Sequence, residues 1–167
     1  MDNPQILTSY FETDLGEASI AADWSGCGRW LAVINADSEV LLFDSETDSE
    51  LGRWKCHEGG ALSLKWHPRF PLFATSSQSG ELRIWRIETD LAISKPREVT
   101  LGQGVGREWI EFLEWRPNGK QLAVAVGNSV MLLSLEGEVQ AEFSFPGGTV
   151  GAIAWHSAGS LLGVAGY

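Results

Sequence analysis

The sequence predicts an all-β chain built from side-by-side copies of one four-stranded antiparallel sheet, and three observations lead there. A tryptophan recurs in register at Trp24, Trp66, Trp115 and Trp155, spaced by 42, 49 and 40 positions. Each lies in a similar segment: ASIAADWSGCGRWLAV from Ala18, ALSLKWHPRFPLFAT from Ala61, IEFLEWRPNGKQLAVA from Ile110 and VGAIAWHSAGSLLGVA from Val150. Short apolar runs rich in Val, Ile, Leu and Trp alternate with clusters of Gly, Asn, Asp, Ser and Pro, which is the pattern of strands and turns. A repeat of this length sets the architecture before any local reading does.

Taken in order, residues 5–13 (QILTSYFET) read as a leading strand within an entry segment, 1–17. The first unit, 18–58, carries strands at 18–24, 29–35, 39–44 and 51–56. The second, 59–107, carries them at 61–66, 72–77, 81–87 and 97–102. Its extra length falls in 86–109, where Pro96, Gly102, Gly104 and Gly106 indicate longer loops rather than a further element. The third unit, 108–147, has strands at 110–115, 121–126, 129–135 and 139–145; the fourth, 148–167, has two, at 150–155 and 161–166. Four strands per unit is the count of a propeller blade.

These units resemble WD repeats. The second matches best: CHEGGALSLKWHPRFPLFATSSQSGELRIWR places His57 at the family's histidine position, then Trp66-His67-Pro68, Phe73-Ala74, Gly80 in a turn, and Trp85 closing the third strand. The first unit has Phe43-Asp44 where the family has Trp-Asp, and the third has Leu133-Ser134. The resemblance covers residues 18–167 and implies an open or incomplete β-propeller. It also implies a buried hydrogen-bond set of His57, Thr75 or Ser77, and Trp85. Gln78 stands where the family's turn Asp is expected. That set is therefore expected to be incomplete, with the blades held mainly by apolar packing, because an unmet buried polar group costs about 1 to 3 kcal/mol.

Composition narrows the function. With 12 Lys and Arg against 22 Asp and Glu, the chain carries a net charge of −10. Nucleic-acid and anionic-membrane binding rely on clustered cations, so a protein partner, and a basic one, suits this surface better. Cys27 and Cys56 form no disulfide framework and match no zinc or redox spacing, and the N-terminus has no apolar signal region. A cytoplasmic protein is expected. The acidic run 44–50, DSETDSE, reads as a solvated loop, with a docking patch for a basic partner as the alternative.

No catalytic, cofactor or metal residues are expected. The four repeated tryptophans and Trp85 are explained by blade-to-blade packing before any aromatic ligand cage. His57 has its structural position, and His67 and His156 follow the repeated Trp at equivalent places. Cys56 beside His57 evokes zinc, but no further ligand stands at a known spacing. Gly102-Gln103-Gly104-Val105-Gly106 precedes no helix and lacks a following Lys-Ser or Lys-Thr, so a flexible connection outweighs a phosphate loop.

The reading that results is a non-enzymatic scaffold binding protein segments through its loops, at 57–60, 103–109 and 146–149 and the turns 36–38, 78–80 and 127–128. Arg107, Glu108 and Trp109, with His57 and Glu58, are the candidate contact residues, because Trp and Arg dominate interface hot spots. Burial of Trp109 against the blade edge is the alternative. Three full units and part of a fourth do not close a ring, and exposed blade faces and sheet edges are hazardous. A fragment of a longer propeller, including a propeller enzyme whose catalytic residues lie elsewhere, or a self-associating half-propeller are the competing expectations.

Overall fold

A computed structural model describes residues 12–88, 97–99 and 108–167. Among these residues there is no helix, and fourteen strands are grouped into sheets of successive antiparallel neighbours. The first blade comprises β1 (Ser19–Trp24), β2 (Trp30–Asn35), β3 (Glu39–Asp44) and β4 (Ser49–Lys55). The second comprises β5 (Ala61–Trp66), β6 (Leu72–Ser77), β7 (Leu82–Arg86) and β8 (Arg97–Val99). The third comprises β9 (Ile110–Trp115), β10 (Gln121–Val126), β11 (Ser129–Ser134) and β12 (Val139–Ser144), and the fourth pairs β13 (Val150–Trp155) with β14 (Leu162–Gly166). The leading strand expected at 5–13 lies outside the described residues up to position 11, and Glu12 and Thr13 are not in a strand. The glycine-rich stretch 102–106 lies outside them as well.

Alternation along each strand sends successive side chains to opposite neighbours. In β2, Ala32 and Ile34 face the second blade, where they join Leu64, Trp66 and Phe73 in one core, while Val33 faces the other way with Leu41, Phe43 and Leu15. The second and third blades bury Leu72, Ala74, Leu113, Trp115, Leu122 and Val124 between them. The third and fourth bury Ala123, Ala125, Val130 and Val150, with Phe112, Ile153, Trp155, Leu162 and Val164 against them. The core is thus a series of layers between blades.

One expectation about the acidic run is corrected. Asp44 is 1% exposed, and Arg29 donates to its Oδ2 from Nη2 at 2.7 Å and from Nε at 3.1 Å. The Glu46 amide donates to the other oxygen at 2.9 Å. The guanidinium hydrogen bonds hold this carboxyl below the usual carboxylate range. Asp44 ends β3 as a structural anion, and only the turn after it is solvated.

Candidate functional site

The buried histidine set is complete, contrary to the expectation drawn from Gln78. Trp85 Nε1 donates to Thr75 Oγ1 at 2.9 Å, and Thr75 Oγ1 lies 2.8 Å from His57 Nε2. His57 Nδ1 lies 2.9 Å from Oε2 of Glu81, which supplies the carboxylate three residues after Gln78. A neutral imidazole protonated on Nδ1 satisfies the whole chain: indole to hydroxyl, hydroxyl to Nε2, Nδ1 to carboxylate. A turn tied by Ser77, whose Oγ accepts from the Glu81 amide at 3.1 Å, brings the longer glutamate arm to the ring. His57 is fully buried with both nitrogens engaged, so it offers no free polar atom to a partner.

This network fixes one end of the blades, where the turns between second and third strands meet the entry into the next blade. The same join recurs at three junctions. Ala61 N–H donates to Ser38 Oγ at 2.8 Å, Ser76 Oγ to the Ile110 carbonyl at 2.8 Å, and Val150 N–H to the Gly127 carbonyl at 2.8 Å. Gly59 and Gly60 lie so close to Ser79 and Gln78 that a Cβ on either would meet those side chains within 3.0 Å. On this held surface Glu58, Gln78, Glu108 and Trp109 are exposed, Trp109 at 52%, although its neighbour Ile110 is fully buried. Glu108 lies against Gly127. Arg107 lies outside the described residues.

At the opposite end, Asp23, Trp24, Lys65, Trp66, Glu114 and Trp115 line a cleft of about 310 Å³. Its charges are largely met within the protein: Lys65 Nζ lies 3.3 Å from Glu114, and Asp23 Oδ2 accepts the Trp66 amide at 2.8 Å. The repeated tryptophans act here as ties between blades. Trp115 Nε1 donates to the Lys65 carbonyl at 3.0 Å and Trp155 Nε1 to the Glu114 carbonyl at 3.2 Å. Trp66 instead stacks on Trp30 at 6.2 Å and packs on Phe73, its indole N–H without an acceptor, while Trp24 is half exposed.

The residues after Trp66 and Trp115 complete the ties. His67 Nδ1 accepts the amides of Arg69 and Phe70, and Nε2 donates to the Gly119 carbonyl of the third blade at 2.8 Å. Arg116 Nε donates to the Gly159 carbonyl of the fourth at 2.7 Å. Burial lowers the pKa of both His57 and His67. Cys56 gives its thiol hydrogen to the Ser38 carbonyl, and burial pushes its pKa up to about 12. Cys56 is thus an inert thiol, and among the described residues no group of three or more His, Cys, Asp or Glu could hold a metal ion.

Antiparallel four-stranded sheets joined by tryptophan ties, with a histidine–threonine–tryptophan network inside one of them, define the WD-repeat β-propeller class. The chain belongs to that family: the model described as the anaphase-promoting complex subunit 4 WD40 domain matches residues 64–157. It is 28% identical over 144 residues to human WD repeat and HMG-box DNA-binding protein 1, covering 83% of this chain and 13% of that protein. It is 29% identical over 134 residues to actin-related protein 2/3 complex subunit 1A of Arabidopsis thaliana, covering 71% of this chain and 35% of the relative. The chain therefore spans only a minor part of these relatives. Among solved structures, a chain of the mitotic checkpoint complex superposes with a TM-score of 0.75 at 22% identity, over 93% of this chain and 46% of that one. The Cps50 (Swd1) β-propeller domain of Myceliophteria thermophila gives 0.75 at 14% identity, over 89% and 50%.

Proposed function

We propose that this chain is a non-enzymatic interaction module that takes a basic protein segment on its loop face. Trp109 carries the reading: a large aromatic ring, 52% exposed, on a backbone immobilised at the next residue. A rigid ring of that kind gives contact area at little entropic cost, and such residues dominate interface energetics. The exposed carboxylates of Glu58 and Glu108 on the same face and the net charge of −10 favour a cationic partner. Family membership supports a protein ligand, and the overall anionic charge disfavours the DNA that the human relative's name mentions.

The test is a peptide array of Lys- and Arg-containing segments with an apolar centre, the best binder then being titrated by fluorescence anisotropy. Replacing Trp109 by Ala is expected to weaken it by roughly 2 to 4 kcal/mol. Unchanged affinity would move the partner off this face. A labelled DNA duplex in the same assay is expected to show no binding.

A further inference from the structure

The turn that follows the repeated tryptophan is built alike in three blades and differently in one. Gly28, Gly119 and Gly159 stand four residues beyond Trp24, Trp115 and Trp155, each at positive φ (+76°, +74° and +69°). Gly119 and Gly159 also receive the preceding blade, their carbonyls accepting from His67 and Arg116. The second blade has Phe70 at this place, within Pro68-Arg69-Phe70-Pro71. Its carbonyl is turned to the Leu72 amide at 2.7 Å, and the junction with the first blade leaves the Trp66 indole N–H without an acceptor. A phenylalanine thus stands where the other blades carry glycine, at the expense of a tie, which argues for a use outside the packing.

Phe70 is 50% exposed, and its backbone is held. The buried His67 accepts the amides of Arg69 and Phe70 on Nδ1 at 3.0 and 2.9 Å, and its ring stacks on that of Phe70 with centroids 4.8 Å apart. Pro68 and Pro71 fix their own φ on either side. A ring that is both open to solvent and immobilised loses little entropy when a partner covers it.

The charges around this ring are of one sign. Arg69 precedes it and is exposed. Lys120, also exposed, follows Gly119, whose carbonyl is bonded to the other nitrogen of the same His67 ring at 2.8 Å. Among the described residues neither side chain forms an ion pair with a carboxylate. The charges that bear on the His67 ring are likewise cationic, those of Arg69 and Arg86. At the same end of the blades, Glu114 is matched by Lys65 at 3.3 Å and Asp23 is engaged by the Trp66 amide. In a chain of net charge −10, this is a locally basic patch with an aromatic centre. Arg69, Phe70 and Lys120 belong to the second and third blades, each flanked by a blade on either side.

We propose that this face binds an acidic segment of a partner protein, an apolar side chain of the segment packing on Phe70 while its carboxylates meet Arg69 and Lys120. The charge is opposite to that of the loop face, so the two faces select segments of opposite sign and can be occupied together. The inference does not rest on the loop-face reading, since no residue is shared. Two cations suit a short acidic segment, whereas a nucleic acid or an anionic membrane is drawn by larger basic clusters and is repelled by the rest of this surface.

The test is an array of acidic peptides with varied apolar centres, read on the 167-residue chain, the tightest peptide then being followed by fluorescence anisotropy. Binding should fall as salt rises. Phe70→Ala is expected to weaken it about tenfold, as for a central aromatic anchor. Arg69→Glu with Lys120→Glu, both at exposed positions, should remove binding and leave the urea midpoint unchanged, which separates loss of binding from loss of fold. In heteronuclear NMR of the wild type the peptide should shift the amides of Arg69, Phe70 and Lys120, a reading that needs no substitution. Trp109→Ala should leave the affinity unchanged; a loss there would place the segment on the loop face and overturn the proposal. Silence across the array, or wild-type affinity in the charge-reversed variant, would do the same. So would single-stranded DNA or phosphatidylserine vesicles binding more tightly than any peptide and being lost in that variant.

Discussion

At the scale of single residues, the two buried histidines make acid the natural probe. Both His57 and His67 have folded pKa values below the ordinary 6.5, first because burial disfavours the cation. The unfolded chain then binds more protons than the folded one, so stability is complete above about pH 6.5 and falls as pH drops toward the folded pKa. Urea midpoints at pH 8 and pH 5.5 should show that fall, and His67→Gln should reduce it. An equal midpoint at both pH values would contradict neutral buried rings. Thr75 has the larger structural role, since its hydroxyl serves both Trp85 and His57. Thr75→Val keeps the shape and strands two buried groups, and is expected to cost about 2 to 4 kcal/mol in urea unfolding. Glu81 is not legible in the sequence, because the repeat pattern puts the acid at the turn position of Gln78, whereas a glutamate's extra methylene lets it act from the start of the next strand.

At the scale of elements, strand positions were legible because alternation and turn residues act locally, and β5, β9 and β13 begin and end where the repeat places them. What spacing along the chain could not show was which turn residues touch the neighbouring blade. Asp44 looked like part of a charged loop, and only Arg29, fifteen residues away across the β2–β3 pairing, makes it structural. Asp44→Lys should therefore unfold the first blade, while Glu46→Lys, at an exposed turn position, should be nearly silent in thermal unfolding. The turn glycines separate in the same manner. Ala at Gly159 meets Arg116 at 3.5 Å and pays the left-handed strain of about 1 to 2 kcal/mol. Ala at Gly119 suffers the same strain and also meets the His67 ring at 2.5 Å, so it should be clearly the worse of the two.

At the scale of the whole molecule, stability is distributed over junctions, because each blade buries its faces only against its neighbours. The junctions use different means: an aromatic stack between the first and second blades, a histidine tie between the second and third, an arginine tie between the third and fourth. Damage at one should leave the others standing. Deleting residues 148–167 removes Val150, Ile153, Trp155, Leu162 and Val164 from the layer over Ala123 and Ala125, together with the Trp155 bond to the Glu114 carbonyl. Fully burying side chains of this size contributes about 1.5 to 3 kcal/mol each, so even partial burial makes the loss several kcal/mol. The truncated chain should unfold at lower urea with a smaller m-value, since less surface is exposed on unfolding. It should nevertheless retain slow hydrogen exchange in β5, β6 and β10, whose own layer between the second and third blades is intact. Uniform loss of protection throughout would mean that the blades form a single cooperative unit rather than a row of neighbours, and an unchanged midpoint would mean that the fourth blade contributes nothing to the third.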